Sequence, residues 1–297
     1  MSTQSIMKHV KLYYFNSFKN FGDLLSASLF EKMAGIDVTR CDAKGCDVVA
    51  VGSLLQRFLA WAPISIFRRC FTSSAVVWGS GFMNLPKPNK SLYRNLDVLA
   101  VRGFNTLNVL QKMVHVNITD KVAIGDPGLL ASCIFDTSQV KKKYALGIVA
   151  HYKDKGHPLI KKIAVDNSVI IDISQEPLAF MIQLAECDNV IASAMHALIA
   201  ADSLGIPNVR MTTKESKVGD YKFDDYYSAF GLSEHEVINL NYRSFLNEDL
   251  ESIRANYKIS SERLKEIQGD LIESFPIKNQ VYFNFRSKFI SSHNLTN

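Results

Sequence analysis

Short apolar runs that end in glycine recur along the first half of the chain. Ala75–Trp78 and Leu96–Val101 are two such runs, followed by Gly79 and by Arg102-Gly103. Buried parallel strands show this continuous apolar pattern, and their ligand-binding loops lie together at the carboxyl ends of the strands. The same pattern predicts further strands at Val10–Phe15, Asp47–Val51 and Val122–Pro127, and helices at Leu24–Met33 and from about Thr106 to Met113.

A second series of strands and helices begins after the polar segment Asp136–Lys143. Its predicted strands are Tyr144–Ala150, Ser168–Asp172 and Cys187–Ala192, its first predicted helix is Pro177–Glu186, and one or two charged helices follow between Tyr242 and about Glu273. Strands that alternate with helices indicate the α/β class with parallel, Rossmann-like sheets. We therefore expect two domains, residues 1–137 and residues 138–297, with helices at the carboxyl end of the second.

The stretch Val190–Val209 places a histidine between a predicted strand and a predicted helix. An apolar run ends at Ala192, the small residues Ser193-Ala194 form a turn, and a helix-like apolar run begins at Ala197. His196 is thus expected at the carboxyl end of a strand and the amino-terminal end of a helix, where anions bind. The alternative is a histidine with a purely structural role in the turn.

Composition and charge limit the function only loosely. The length of 297 residues suffices for two domains, and the hydrophobic fraction of 47% suits a soluble globular protein. The net charge of +5 favours anionic substrates or a membrane surface, and the basic–aromatic runs typical of nucleic-acid binding are absent from the sequence. Five scattered cysteines predict reduced thiols in the cytoplasm, without a zinc site. We expect neither a signal peptide nor a transmembrane helix.

Two segments allow two interpretations each. Leu54–Cys70 is apolar and aromatic, with three arginines and no acidic residue. It is either a core helix with a loop, or a peripheral contact with an anionic membrane surface, in which Trp61 and Phe67 lie at the interface. Lys214–Gly231 mixes charged and aromatic residues, and is either a solvated loop or a source of cations near His196.

Eight short blocks occur in one order between about residues 10 and 231. They are Asn20-Phe21-Gly22-Asp23, Gly52-Ser53, Trp78-Gly79-Ser80-Gly81, Ala100-Val101-Arg102-Gly103, Gly125-Asp126-Pro127, Ala150-His151-Tyr152, Ser193-Ala194-Met195-His196 and Lys217–Tyr226. In content and order they resemble the polysaccharide pyruvyl transferase family, and most of all the bacterial exopolysaccharide ketal-pyruvate transferases. Relatives usually carry arginine or serine, then leucine, histidine and glycine at the histidine motif. Here Ala194 stands where a cation is usual.

The resemblance implies transfer of the enolpyruvyl group of phosphoenolpyruvate to a hexose of a bacterial exopolysaccharide, capsule or lipopolysaccharide precursor. A pyruvate ketal forms and phosphate is released, without a metal ion or other cofactor. The resemblance also implies a GT-B-like fold, in which two Rossmann-like domains face each other across a cleft, with the acceptor on the first and phosphoenolpyruvate on the second. The expected acceptor is a lipid-linked oligosaccharide at the inner face of the cytoplasmic membrane, and no nucleic acid is expected as a partner.

The chemistry that the resemblance implies assigns roles to particular residues. The phosphate and carboxylate of the donor need cations, while its methylene carbon must gain a proton and the sugar hydroxyl must lose one. We expect His196 to contact phosphate and move a proton, and Asp23 to be an acid or base on the acceptor side. Arg102 and Lys217 are the expected donor cations, with Lys222 as a substitute for Lys217. The other expected substrate-binding residues are Asn20, Gly22, Gly52, Ser53, Gly79, Ser80, Gly81, His151, Ser193 and Met195.

Other interpretations stay open at this point. A GT-B glycosyltransferase that uses a nucleotide sugar shares the same architecture. Because Ala194 replaces a cation, an inactive carbohydrate-binding relative is a further alternative. For individual residues, Asp23 could instead be the N-cap of the helix that begins at Leu24, and Arg102 could be an arginine in a surface turn.

Overall fold

The computed structural model describes residues 9–15, 18–69, 71–214 and 220–293, and it contains two parallel β-sheets flanked by helices. The strands are β1 (His9–Tyr13), β2 (Asp37–Cys41), β3 (Val48–Val49), β4 (Leu59–Trp61), β5 (Ala75–Trp78), β6 (Lys90–Leu92), β7 (Leu96–Val101), β8 (Val116–Ile124), β9 (Tyr144–Val149), β10 (Ile163–Ala164), β11 (Ser168–Ile170), β12 (Cys187–Ala192), β13 (Asn208–Thr212), β14 (Val237–Asn239) and β15 (Phe245–Leu246). The α-helices are α1 (Phe21–Ala34), α2 (Ala62–Arg69), α3 (Phe104–Leu110), α4 (Ala131–Ile134), α5 (Pro177–Ala185), α6 (Met195–Ser203), α7 (Tyr221–Ser228), α8 (Leu250–Asn256), α9 (Ser261–Glu273) and α10 (Gln280–His293).

The first sheet has six parallel strands in the order β2-β1-β3-β5-β7-β8. β5 and β7 have the bounds that their apolar runs predict, because both strands are central and mostly buried. The edge strand β2 escaped the sequence analysis because its residues are mostly exposed and polar. β4 and β6 form a small antiparallel pair beside this sheet.

The second sheet has five parallel strands in the order β11-β9-β12-β13-β14. The central strand β12 has its predicted bounds and ends at Ala192, and α6 begins at Met195. His196 therefore lies in the first turn of α6, at the carboxyl end of a buried strand, as predicted. β10 and β15 form a separate two-stranded pair.

The two sheets meet across a cleft between α1 and the loops of the second sheet. The backbone N–H of Phe21 donates to the carbonyl oxygen of Ile173 at 2.8 Å, and the Phe21 ring stacks on Phe180 at 4.4 Å. Lys19 and Glu176 form an ion pair at the edge of the same contact. The expected fold class, an α/β protein with two Rossmann-like sheets across a cleft in a GT-B-like arrangement, is confirmed.

The last helices of the chain pack against the first sheet. The Trp78 indole N–H donates to the carbonyl oxygen of Leu271 in α9 at 3.1 Å. Near the start of α10, the Asn279 amide donates to the carbonyl oxygen of Ala34 at 2.8 Å. The strands of the first sheet precede residue 137 and those of the second sheet follow it. The carboxyl-terminal helices, however, pack on the first half of the chain, so the division into domains at 137/138 stays a prediction.

The segment predicted as a solvated loop or cation source contains helix α7. Phe223, Asp225 and Tyr226 are buried on one side of this helix, so the loop interpretation is wrong for Tyr221–Ser228. Residues 215–219 lie outside the described part of the chain. Among the described residues, no helix is long and apolar enough to cross a membrane.

Candidate active site

A cavity of about 310 Å³ lies in the cleft, at the carboxyl ends of strands from both sheets. Side chains and turns from the first half of the chain line one wall: Phe15, Asn20, Asp23, Gly52, Ser53, Leu54, Arg57 and Met83. The second half supplies the other wall: His151, Tyr152, Lys153, Ile173, Ala194, Met195, His196 and Lys222. Ligands of open α/β sheets bind at this edge of the strands, so the cavity is the candidate active site.

The imidazole of His196 lies between two glycines of the first half of the chain. A Cβ atom added at Gly22 would fall 2.0 Å from His196 Nδ1, and one at Gly52 would fall 3.7 Å from its Cε1. His196 Nε2 is buried and has no hydrogen-bond partner among the described residues. A buried polar atom without a partner is costly, which indicates a place for a ligand or water.

His196 is neutral in this environment. Burial lowers its pKa to about 3, and the positive charges of Lys222 and Arg102 act in the same direction. The neighbouring His151 behaves alike, because burial and then Lys222 lower its pKa to about 4. Two neutral imidazoles thus line the wall that carries Lys222, and the negative charge of a bound anion would raise the pKa of both.

Lys222 is a cation without a directly bonded counter-charge among the described residues. Its ammonium makes no hydrogen bond or ion pair with any residue that the structure describes, and it lies 4.9 Å from the centre of the Phe223 ring. Burial, together with the charges of Arg102 and Arg210, lowers the pKa of Lys222 to about 8, although the charge of Asp154 acts in the opposite direction. An unpaired ammonium in a partly buried cavity favours binding of an anion, which would supply the missing charge.

Asp23 faces His196 and Lys222 from the opposite wall of the cavity. Burial raises the pKa of its carboxyl to about 7, although a hydrogen bond from the Asn20 amide opposes this rise. The side-chain oxygen of Asn20 accepts the backbone N–H of Asp23 at 3.2 Å, so Asn20 is the N-cap of α1. The alternative role of Asp23 as the N-cap is therefore wrong. A carboxyl with a pKa near neutrality can act as acid or base.

Sequence comparison supplies the family. The family model for polysaccharide pyruvyl transferases matches residues 3–215. The chain belongs to the polysaccharide pyruvyl transferase family. It is therefore a transferase that moves a pyruvyl group onto a polysaccharide acceptor.

Individual relatives of this pyruvyl transferase are distant. The uncharacterized protein L143 of Acanthamoeba polyphaga mimivirus is 28% identical over 238 residues, which cover 78% of each chain. The succinoglycan biosynthesis protein ExoV of Rhizobium meliloti (strain 1021) is 24% identical over 227 residues, covering 75% of this chain and 66% of ExoV.

Two solved structures share a coarse likeness with the chain. One is the uncharacterized protein KP1_0663 of Klebsiella pneumoniae subsp. pneumoniae NTUH-K2044, with 14% identity and a TM-score of 0.43 over 78% of this chain and 94% of that one. The other is a DNA-modifying β-glucosyltransferase, with 12% identity and a TM-score of 0.41 over 97% of this chain and all of that one (100%). The fold assignment rests on the two sheets described above.

Arg102 of the pyruvyl transferase does not line the cavity, contrary to its expected role as a donor cation. It is fully buried, so the surface-turn alternative is also wrong. Its guanidinium donates to Asp225 at 2.9 Å, to Ser53 Oγ at 2.6 Å and to the carbonyl oxygen of Phe82 at 2.6 Å. Asp225 also accepts the backbone N–H and the hydroxyl of Thr106, both at 2.7 Å. Arg102 thus joins the turn at Ser53 to α7, the helix that carries Lys222.

The expected residues of the Trp78-Gly79-Ser80-Gly81 block lie beneath the cavity wall. Ser80 is buried, and its hydroxyl donates to the carbonyl oxygen of Gly52 at 2.8 Å. A Cβ atom at Gly79 would fall 2.1 Å from Pro127, and one at Gly81 would fall 2.5 Å from the Arg102 guanidinium. These residues shape the turn instead of contacting a ligand, because neighbouring groups already occupy the space around them.

Ser193 does not line the cavity but holds a turn that does. Its hydroxyl accepts the backbone N–H of His151 at 2.9 Å and donates to the Asp154 carboxylate at 2.6 Å. It thereby fixes the turn that presents His151. Lys217, the other expected donor cation, lies outside the described residues.

The sequence analysis did not assign Arg57 and Lys153 to the site. Both side chains are exposed at the edge of the cavity. The sequence does contain a sign of their role, since Lys153 follows the predicted site residue His151 by two positions and Arg57 follows Ser53 by four. Basic residues just after strand-end turns are well placed to attract an anionic substrate. Within the described residues, no cluster of three His, Cys, Asp or Glu side chains is arranged to hold a metal ion.

Proposed function

We propose that this pyruvyl transferase takes its pyruvyl group from phosphoenolpyruvate and attaches it to one hexose of a polysaccharide precursor as a cyclic ketal, releasing phosphate. The observation that carries the proposal is the unpaired ammonium of Lys222 in a cavity that also holds His196 and Asp23. A volume of about 310 Å³ is at the small end for ligand sites, which favours a small donor over a nucleotide sugar.

The donor brings a phosphate and a carboxylate to a cavity that is rich in positive charge. Lys222 lies inside, with Arg57 and Lys153 at the edge. The cavity also borders the amino-terminal end of α6 at Ala194, where the helix dipole favours anions. We propose that these three cations, together with Lys217, serve in place of the arginine that relatives carry at the position of Ala194.

The proposed reaction balances without a redox partner. A proton adds to the methylene carbon of phosphoenolpyruvate and makes its C2 carbon electrophilic. One sugar hydroxyl attacks C2 and loses its proton. A second hydroxyl of the same hexose then displaces phosphate, which leaves with the electron pair of its C–O bond. The two sugar hydroxyls release two protons. One replaces the proton that was added to the methylene carbon, and the other leaves with phosphate.

His196 and Asp23 are suited to the two proton transfers. The buried Nε2 of His196 has no partner among the described residues, so it can contact the phosphate, whose negative charge would raise the pKa of the imidazole and allow the two to exchange a proton. Asp23 is on the opposite wall with a pKa of about 7, so both its protonated and ionised forms are populated near neutral pH. We propose Asp23 as the acid or base for the acceptor.

A donor screen tests this proposal. The protein is incubated with phosphoenolpyruvate and hexosides that carry two free hydroxyls on one ring, and phosphate release and product mass are measured. We expect phosphate release together with a mass gain of pyruvate less water, and loss of both in Lys222→Gln but not in the exposed control Lys161→Gln. Absence of phosphoenolpyruvate binding in calorimetry would favour an inactive carbohydrate-binding protein, and turnover of a nucleotide sugar would favour a glycosyltransferase.

A finer proposal concerns where the acceptor is found. Family membership implies a polysaccharide acceptor. We propose that it is a lipid-linked oligosaccharide precursor at the inner face of the cytoplasmic membrane, which places the enzyme there. Activity on lipid-linked acceptors that exceeds activity on the free oligosaccharide would support this choice.

A further inference from the structure

Helix α2, the residues that flank it and the loop before β6 carry a group of large apolar side chains on the protein surface. These are Trp61, Ile64, Phe67, Phe71 and Leu85, which we call the α2 face. Phe67 and Phe71 are 70% and 75% exposed, and their rings contact each other at 5.3 Å. Contiguous exposed apolar patches of this kind mark interaction surfaces. We infer that the α2 face binds the surface of an anionic lipid bilayer.

The α2 face combines one side of α2 with the residues that flank the helix. Ile64 and Phe67 are three positions apart on α2, so their side chains share a side, while Trp61 ends β4 just before the helix and Phe71 follows it and contacts Phe67. The opposite side is anchored, because Ser65 is buried and its hydroxyl contacts Ser91 of β6 at 2.5 Å. The core-helix interpretation of this segment is therefore incomplete, since Trp61 and Phe67 point away from the core that Leu55 and Phe58 join.

The positive charge around the α2 face favours an anionic partner. No acidic residue occurs between Asp47 and Asp97 in the sequence. Of the basic side chains in this stretch that the structure describes, four are exposed: Arg57, Arg68, Lys87 and Lys90. Lys90 pairs with Trp61 across the β4–β6 ladder, so positive charge adjoins the apolar group. Basic and aromatic residues together are typical of surfaces that bind anionic lipid headgroups.

A second copy of this chain is a poorer partner for the α2 face. Two identical basic surfaces repel each other, which disfavours symmetric pairing. A groove of about 390 Å³ beside the face is lined by Lys44, Arg68, Phe67 and Phe71. Its one acidic residue, Asp42, is already engaged, since its carboxylate accepts the backbone N–H groups of Lys44 and Gly45 at 3.0 Å.

Two residues that line the cleft cavity, Arg57 and Met83, are close in sequence to Trp61 and Leu85 of the α2 face. Met83 is 40% exposed and lines the cavity, and its backbone N–H donates to Gln56 at 3.1 Å. Arg57 also belongs to both the cavity edge and the basic stretch. A bilayer on the α2 face would therefore lie beside the opening, where a lipid-anchored sugar can enter. This orientation rests on the proposed function, whereas the binding itself does not.

Vesicle co-sedimentation of the full chain tests the inference. The vesicles are phosphatidylcholine alone or phosphatidylcholine with phosphatidylglycerol, at low and high salt. We expect binding to the anionic vesicles only, weakened by salt. The double variant Phe67→Ser/Phe71→Ser and the triple variant Arg68→Gln/Lys87→Gln/Lys90→Gln should each lower the partition coefficient at least about tenfold.

A matched control uses exposed apolar residues elsewhere. Val114 and Ile170 are 67% and 69% exposed, and Val114→Ser/Ile170→Ser should bind vesicles like the wild type. Absence of binding by the wild type, or an equal loss in the control, would overturn the inference. So would a dimer in sedimentation velocity that Phe67→Ser/Phe71→Ser converts to a monomer. Phosphate release with a soluble hexoside should be unchanged in the surface variants; its absence in the wild type would count against the proposed function alone.

Discussion

The imidazole of His196 lies directly against the Cα of Gly22, in the space that a side chain at position 22 would occupy. A Cβ there would fall 2.0 Å from Nδ1 and 2.3 Å from Cγ of His196. Because Gly22 belongs to α1 and His196 to α6, this contact joins the two walls of the cavity. The position of the histidine therefore depends on the absence of a side chain in the other half of the molecule.

Replacing Gly22 should displace His196. In Gly22→Ala the imidazole must move by more than an ångström, and misplacement of a catalytic group by that amount costs roughly a hundredfold in turnover. Steady-state rates with phosphoenolpyruvate provide the measurement. Gly45→Ala is the control, since a Cβ there would lie 3.7 Å from its nearest neighbour and should leave the rate unchanged. Full activity of Gly22→Ala would remove His196 from the mechanism.

Lys222→Gln should weaken donor binding. The glutamine keeps much of the side-chain length but removes the unpaired charge, and a charge-assisted contact is worth roughly tenfold to a hundredfold in affinity. Calorimetric titration with phosphoenolpyruvate measures the effect. In the free wild-type enzyme, affinity should also fall as pH rises through about 8, where Lys222 loses its proton. A variant that keeps wild-type affinity and the same pH dependence would contradict the assignment.

Asp23 should give the enzyme an ionisation near neutrality. Its folded pKa of about 7 should appear in the pH profile of kcat/KM and vanish in Asp23→Asn. The stability effect has a definite sign. The unfolded carboxyl ionises near 3.8 while the folded one holds its proton to about 7, so the wild type loses stability across that window.

The Asp23→Asn variant isolates this effect because it carries no titrating group at position 23. Its Tm relative to the wild type should rise between about pH 4 and about pH 7. Other buried carboxyls such as Asp202 titrate in both proteins and cancel in the comparison. A Tm difference that does not change with pH would show that Asp23 ionises normally.

Arg102→Ala should destabilise the fold before it affects donor binding. The change leaves Asp225 buried and negatively charged without its partner, which typically costs about 3–5 kcal/mol. Denaturant unfolding measures this loss. Lys121→Ala, which breaks an exposed pair with Asp270, is the control and should cost less than about 1 kcal/mol. If Arg102→Ala left the free energy of unfolding unchanged but raised the KM for phosphoenolpyruvate, Arg102 would instead be a direct ligand of the donor.

The sequence predicted the features that depend on neighbouring residues. β5, β7 and β12 are largely apolar runs that lead into turns with glycine or small residues, and the burial of central parallel strands favours that composition. The place of His196 followed from the same local signal, since a strand, a small-residue turn and a helix are consecutive there.

Contacts between distant residues could not be predicted from the sequence. The partner of Arg102 is Asp225, which lies 123 positions away, so its burial and pairing are invisible in the local pattern. The same pairing explains the error at α7, where a charged residue on a buried side made a helix resemble a solvated loop. The contact of Gly22 with His196 likewise depends on how the two halves pack.

The central claim is that C2 of phosphoenolpyruvate becomes the ketal carbon of a pyruvylated hexose. Isotope labelling tests this claim most directly. Phosphoenolpyruvate labelled with ¹³C at C2 is incubated with a hexoside acceptor in D₂O, and the products are examined by NMR. The account predicts a ketal carbon bonded to two sugar oxygens, a methyl group that contains one deuteron, and no such product from His196→Ala. A label that stays in phosphoenolpyruvate, appears as free pyruvate, or retains its methylene group on the sugar would contradict it.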